Sequence, residues 1–139
     1  MSAIVVVHIE GVMTDPSDTA TIPIASPSGV GLRLVRTLAE AWPIGYVTDA
    51  PREKAQAWLE DVSAPTGAWV ASAAPQERAA VILGMLAERT DRAQLYVTCS
   101  STGLGLLQEN HIPVLVYFPA RHTLGDWRAP TVWTNEESA

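Results

Sequence analysis

The segment Ala3-Ile4-Val5-Val6-Val7-His8 constrains the fold more than any other. It is a continuous β-branched run that meets no polar side chain before the histidine. Successive side chains of a strand point to opposite faces, so both faces of this one are apolar. Such a strand belongs inside a parallel sheet that is covered on both sides.

The rest of the chain alternates around it. A polar, Pro-rich stretch runs from Glu10 to Pro27. Val30, Leu34, Val35, Leu38 and Trp42 then recur at helical spacing after Ser28, a predicted N-cap, and Pro43 ends that helix. Ile44–Thr48 reads as a second strand. Asp49 is expected to cap the next helix, with Pro51 and Glu53 in its first turn and Ala55, Trp58, Leu59 and Val62 as its stripe. Ala68–Ala71 is a weak third strand. Pro75 opens a third helix with Ala79, Ile82, Leu83 and Leu86 inward. Gln94–Thr98 is a fourth strand, Ser100 or Ser101 caps a fourth helix to about Asn110, and Pro113–Tyr117 is a fifth strand. The alternation predicts an α/β fold: a three-layer, doubly wound, Rossmann-like sheet of about five parallel strands with helices on both faces. Sites in such sheets lie beyond the carboxyl ends of the strands, where strand order reverses. The positions to inspect are His8 to Glu10, Thr48 to Asp49, and Thr98 to Ser101.

Length and composition narrow the function. At 139 residues the chain reads as one domain, 1–139, with residues 118–139 as a C-terminal extension carrying Trp127 and Trp133 and loose at its end. A formal charge of -6 argues against nucleic acid or anionic membrane as a partner. The single cysteine, Cys99, excludes an internal disulfide framework and fits a reducing compartment. The start lacks the basic region of a signal peptide, so the cytoplasm is expected. Lys54 is the only lysine beside eight arginines, and alanine is abundant. We read this as the GC-rich coding bias of an actinobacterium or its phages.

The residues that could carry chemistry begin at the end of the first strand. In His8-Ile9-Glu10-Gly11-Val12-Met13-Thr14-Asp15 an ionisable residue closes the strand, a second follows one place on, and glycine comes next. This segment resembles motif one of the haloacid dehalogenase-like (HAD) superfamily, a buried strand followed by Asp-x-Asp-Gly-Thr/Val. His8 falls on the nucleophile position and Glu10 on the acid/base position, while Gly11 and Asp15 match. Gly45-Tyr46-Val47-Thr48 resembles motif two, and Tyr96-Val97-Thr98-Cys99 resembles motif four in shape. The resemblance covers residues 3–118. The short spacing between motifs one and two implies a member without a cap domain.

The resemblance implies an aspartyl-phosphate mechanism with Mg²⁺, and the chemistry departs from it. His8 supplies no carboxylate nucleophile, and Glu10 is one methylene longer than the family's acid/base. The magnesium-binding Asp of motif four reads Cys99, and the later acidic position falls near Gly103. Imidazole and thiol are poor ligands for a hard cation. Arg78 sits where the family lysine is expected, and Lys54 lies on the wrong helix. Only Thr48 is clearly retained.

Each candidate has a plain reading beside the chemical one. His8 can be a hydrogen-bonded strand-end histidine, Glu10 a cap or an arginine's partner, and Thr48 a strand residue or a phosphate-oxygen donor. Cys99 is a buried, inert thiol by default, although a position before a helix N-terminus can lower a thiol pKa. His8, Glu10 and Cys99 together could form a soft site for Zn²⁺. Ser100 and Ser101 open a hydroxyl-rich helix start that, with Thr48, could bind an anion or serve as an ordinary cap. His111 and His122 lack partners at ligand spacing.

The expectation is a catalytically degenerate HAD-like domain without a cofactor, which binds a partner protein or a small anion. An active capless phosphohydrolase with an altered nucleophile, needing Mg²⁺, is one alternative. An unrelated flavodoxin-like binding domain is the other. A homodimer could form through a sheet edge or the Trp-containing tail.

Overall fold

Residues Val5–His8 of the first strand pair in parallel with Ile44–Val47 on one side, and Val5–Val7 pair with Leu95–Val97 on the other. The apolar run therefore lies at the centre of the sheet. The structure, a computed structural model, describes residues 2–117. Its elements alternate: β1 (Ser2–His8), α1 (Gly29–Ala39), β2 (Ile44–Thr48), α2 (Arg52–Asp61), β3 (Trp69–Ser72), α3 (Arg78–Arg89), β4 (Asp91–Thr98), α4 (Leu104–Glu109) and β5 (Val114–Val116). A 3₁₀ turn, Pro75–Glu77, leads into α3. The sheet has five strands, all parallel, in the order β3-β2-β1-β4-β5. The fold is thus α/β, as the alternation predicts. The expected extension 118–139, with Trp127, Trp133 and His122, lies outside the described residues.

Two apolar clusters hold the helices to the sheet. Val5, Val7 and Ile9 pack with Leu32 and Val35 of α1 and with Ala55, Trp58 and Leu59 of α2. Ile4 and Val6 pack with Ala79, Ile82 and Leu86 of α3 and with Leu107 of α4. The strand's two-residue period thus divides β1 between the clusters. Each fully buried valine contributes roughly 1.5–3 kcal/mol over an exposed one. Among the described residues no helix is long and apolar enough to cross a membrane.

The local signals succeed unevenly. Ser28 caps α1, its Oγ accepting from Gly31 N at 3.1 Å. The helix ends at Ala39, earlier than the apolar spacing suggests, and Trp42 N still reaches Leu38 O through the following turn. Asp49 does not cap α2: Pro51 holds the cap position without a side-chain bond. The Asp49 carboxylate is drawn away by buried partners described below. Neither Ser100 nor Ser101 caps α4. Ser100 N donates to Thr98 Oγ1 at 3.0 Å, so the chain makes a further turn and Gly103, at φ +79°, becomes the cap residue. β4 begins at Asp91, earlier than Gln94, because Ser2–Ile4 of β1 extend the pairing and a bulge absorbs Gln94.

Candidate functional site

Strand order reverses at β1, where β2 and β3 lie to one side and β4 and β5 to the other. The carboxyl ends of β1, β2 and β4 bring His8, Thr48 and Thr98 to one corner. After His8 the chain turns sharply, with Met13 N donating to Ile9 O at 2.8 Å. Gly11 sits in that turn at φ +85°, and a Cβ there would collide with Cys99 Sγ. Glycine meets both demands, a left-handed backbone and an absent side chain. The turn carries Glu10 back over the ends of β1 and β2.

His8 is buried, at 3% exposure, and its ring is held from one side. Nδ1 lies 3.1 Å from Thr98 Oγ1. Nε2 points to two carboxylates, 3.4 Å from Asp49 Oδ1 and 3.6 Å from Glu10 Oε1, yet completes no hydrogen bond. Glu10 is fixed in turn. Its Oε2 accepts from Thr48 Oγ1 at 2.6 Å and its Oε1 from Asp49 N at 3.1 Å. Thr48 Oγ1 also accepts from Ala50 N, so its hydroxyl is committed within the corner.

Arg78 is 3% exposed and places Nη2 2.8 Å from Asp49 Oδ1, while its Nε and Nη1 have no hydrogen-bond partner. Partial burial pushes the Asp49 carboxyl up, but the facing His8 ring and the Arg78 guanidinium outweigh it and hold the carboxyl below its ordinary value. A depressed carboxyl pKa stabilises the fold above the unfolded-state value and loses that contribution as pH falls through the folded-state value. Stability is therefore expected to fall below about pH 4. Urea titrations across that window should show a shallower slope for Asp49→Asn than for the wild type.

Cys99 takes a different role from the one its sequence position suggests. Its Sγ donates to the Glu10 carbonyl oxygen at 3.4 Å, and burial pushes the thiol pKa up. Cys99 precedes α4 by several residues, and α4 has only six. The thiol is thus a packing and hydrogen-bonding group beneath Gly11. The three metal-ligating side chains that converge, among the described residues, are His8, Glu10 and Asp49, with Asp49 where the sequence suggested Cys99.

These residues do not fit the magnesium that the HAD resemblance implies. His8 offers an imidazole where the resemblance puts a carboxylate, and Cys99, whose thiol pKa is raised by burial, stands where it puts a metal-binding Asp. Mg²⁺ requires near-octahedral oxygen ligation.

Ser100 meets the corner through its backbone, its N donating to Thr98 Oγ1 at 3.0 Å. Ser100 Oγ accepts from Thr102 N at 3.2 Å, and the Ser101 carbonyl accepts from Leu104 N. His111 lies at φ +61° and is exposed.

A cleft of about 400 Å³ opens above the corner. Its lining includes Glu10, Asp15, Asp18, Asp49 and Cys99, and no lysine or arginine among the described residues. Asp18 fixes the outer loop, accepting from Ala20 N and Ser26 N. Sequence reasoning placed Asp49 and Thr98 among the strand-end positions to inspect, but gave Asp49 a capping role and Thr98 none. The signal for both was position, since each ends or directly follows a strand at the edge where order reverses.

No protein-family model matches the chain, and no curated protein or solved structure does.

Proposed function

We propose that the chain is a capless, doubly wound HAD-type domain that has lost phosphoryl-transfer chemistry and acts by binding. The observation that carries this reading is His8. The nucleophile position holds a buried imidazole tethered to Thr98, with Nε2 between two carboxylates. A phosphate approaching there would meet Glu10 and Asp49, both negative, with no magnesium site to offset them. Arg78 is turned to Asp49 instead.

The cleft's lining favours one of the two kinds of ligand over the other. Glu10, Asp18 and Asp49 line the cleft, with no lysine or arginine among the described lining residues. Arg78 offsets Asp49 alone, and the charge that remains favours a positive group over a small anion. The occupant is therefore a cation or a basic segment of a partner protein. Thr48, one of the hydroxyls expected to bind an anion, already donates its proton to Glu10.

The test is turnover on a broad phosphomonoester panel with Mg²⁺, comparing wild type with Glu10→Gln. The expected result is no hydrolysis above the variant's background. Hydrolysis that disappears in Glu10→Gln would overturn the reading and make Glu10 the acid/base of an active phosphohydrolase.

A further inference from the structure

We infer that His8, Glu10 and Asp49 form a three-ligand site for one borderline divalent transition cation of the zinc type. This deepens the reading of the cleft as a seat for positive charge and rests on it. The corner calls for positive charge between His8 Nε2 and the two carboxylates. A protonated ring supplies it in one way, and a bound cation supplies it while the ring stays neutral. Suppose His8 Nδ1 carries the ring proton and donates it to Thr98. Nε2 then presents a bare lone pair to two carboxylate oxygens at 3.4 and 3.6 Å, an arrangement of three acceptors. Suppose instead that the proton is on Nε2. It then lies in a buried position without completing a hydrogen bond, which is costly. A metal ion between the three atoms satisfies all of them at once.

The spacing suits it. All three ligand atoms lie within 4.8 Å of one another. Bonds of about 2.0–2.1 Å in a tetrahedron place neighbouring ligand atoms roughly 3.3–3.4 Å apart. The His8–Asp49 and His8–Glu10 separations of 3.4 and 3.6 Å are already close to that edge. The surroundings also resemble a prepared shell. Thr98 holds the far nitrogen of the imidazole, Thr48 and the Asp49 amide hold Glu10, and Arg78 holds one Asp49 oxygen. Outer partners of this kind orient metal ligands and set the histidine tautomer. Arg78 supplies one positive charge against two carboxylates, so a net negative charge remains for the ion when His8 is neutral.

One nitrogen and two carboxylate oxygens suit a borderline cation better than a hard one. Glu10 and Asp49 both line the cleft, so an ion held between them has a route to solvent. Three protein ligands with an open fourth position make an exchangeable site rather than a closed structural one.

The test is titration of the full chain, stripped with chelator, with Co²⁺ as a visible probe and Zn²⁺ as competitor. The expected result is one saturable Co²⁺ per chain, with the intense visible bands of tetrahedral cobalt and no near-ultraviolet thiolate band. Zn²⁺ displaces it and excess Mg²⁺ does not. His8→Ala and Glu10→Gln each weaken Co²⁺ binding by more than the roughly 10–100-fold typical of an outer-shell change, while Cys99→Ser leaves it intact. Thermal melting checks the fold of each variant. Glu10 is partly exposed, so Glu10→Gln keeps the test decisive if His8→Ala does not fold. Absence of saturable binding, unchanged binding in folded Glu10→Gln, displacement by Mg²⁺, or a thiolate band lost in Cys99→Ser would each overturn the inference. Magnesium-dependent phosphatase turnover would instead overturn the functional reading, so the two failures are distinguishable.

Discussion

Replacing Asp49 with alanine is expected to lower the unfolding free energy by about 3–5 kcal/mol, the usual cost of stranding one partner of a buried ion pair. The cost arises at Arg78. Its guanidinium is 3% exposed, and its Nε and Nη1 already lack partners. Asp49, at 2.8 Å, is the counter-ion that makes its burial tolerable. The Asp49 side chain is 36% exposed, so solvent screens part of the attraction, and the lower end of the range is expected. Urea denaturation near neutral pH measures the loss. The double variant Asp49→Ala/Arg78→Met should recover most of it, because no charge then remains buried alone. A loss below about 1 kcal/mol in the single variant, the level of an exposed pair, would show that the guanidinium finds water or another partner.

The second large effect is expected at Trp58. Trp58→Ala should cost about 3–5 kcal/mol, the range for removing a buried aromatic side chain. Trp58 is buried in the cluster that joins α2 to β1, and its Nε1 donates to the Ala25 carbonyl at 2.9 Å. Trp58→Phe keeps most of the packing and loses that bond, so about 1–2 kcal/mol is expected. The bond also has a local readout. Ala25 and Ile22 line the cleft and belong to the same cluster, so Trp58 fastens the cleft's outer wall to the helix layer. Limited proteolysis should cut between residues 15 and 27 faster in Trp58→Phe than in wild type. Equal rates would mean that the loop is held by Ile22 and the Asp18 bonds alone.

The sheet was legible in the sequence because periodicity and burial are the same fact. Val5, Val6 and Val7 are apolar in succession and lie at the sheet's centre with no exposure. Ser28 was legible because an N-cap acts within three residues. The caps at Asp49, Ser100 and Ser101 were not: tertiary partners take Asp49, and the local bonds of Ser100 to Thr98 and Thr102 carry the chain on to Gly103 before α4 starts. Asp49 has a buried arginine 29 residues away and a histidine 41 positions earlier, and no local pattern reports either. The place of the site was legible from strand ends alone. Its ligand set was not: His8 and Glu10 stand out in one segment, whereas Asp49 joins them only because β2 pairs beside β1. Cys99 looked like the third member because it also follows a strand, yet its thiol points to the Glu10 carbonyl.

The sheet order also bears on how the chain reaches its native state. Val7 of β1 lies beside Val97 of β4, so the central strand meets one of its two neighbours only across a separation of 90 positions. Non-local pairing of this kind slows folding, because chain closure costs entropy before the contact forms. During synthesis at about 5–20 residues per second, roughly 5–20 s separate the two strands. Through that interval one edge of the most apolar strand has no permanent partner, which makes it a natural client for a chaperone that recognises short hydrophobic β-segments.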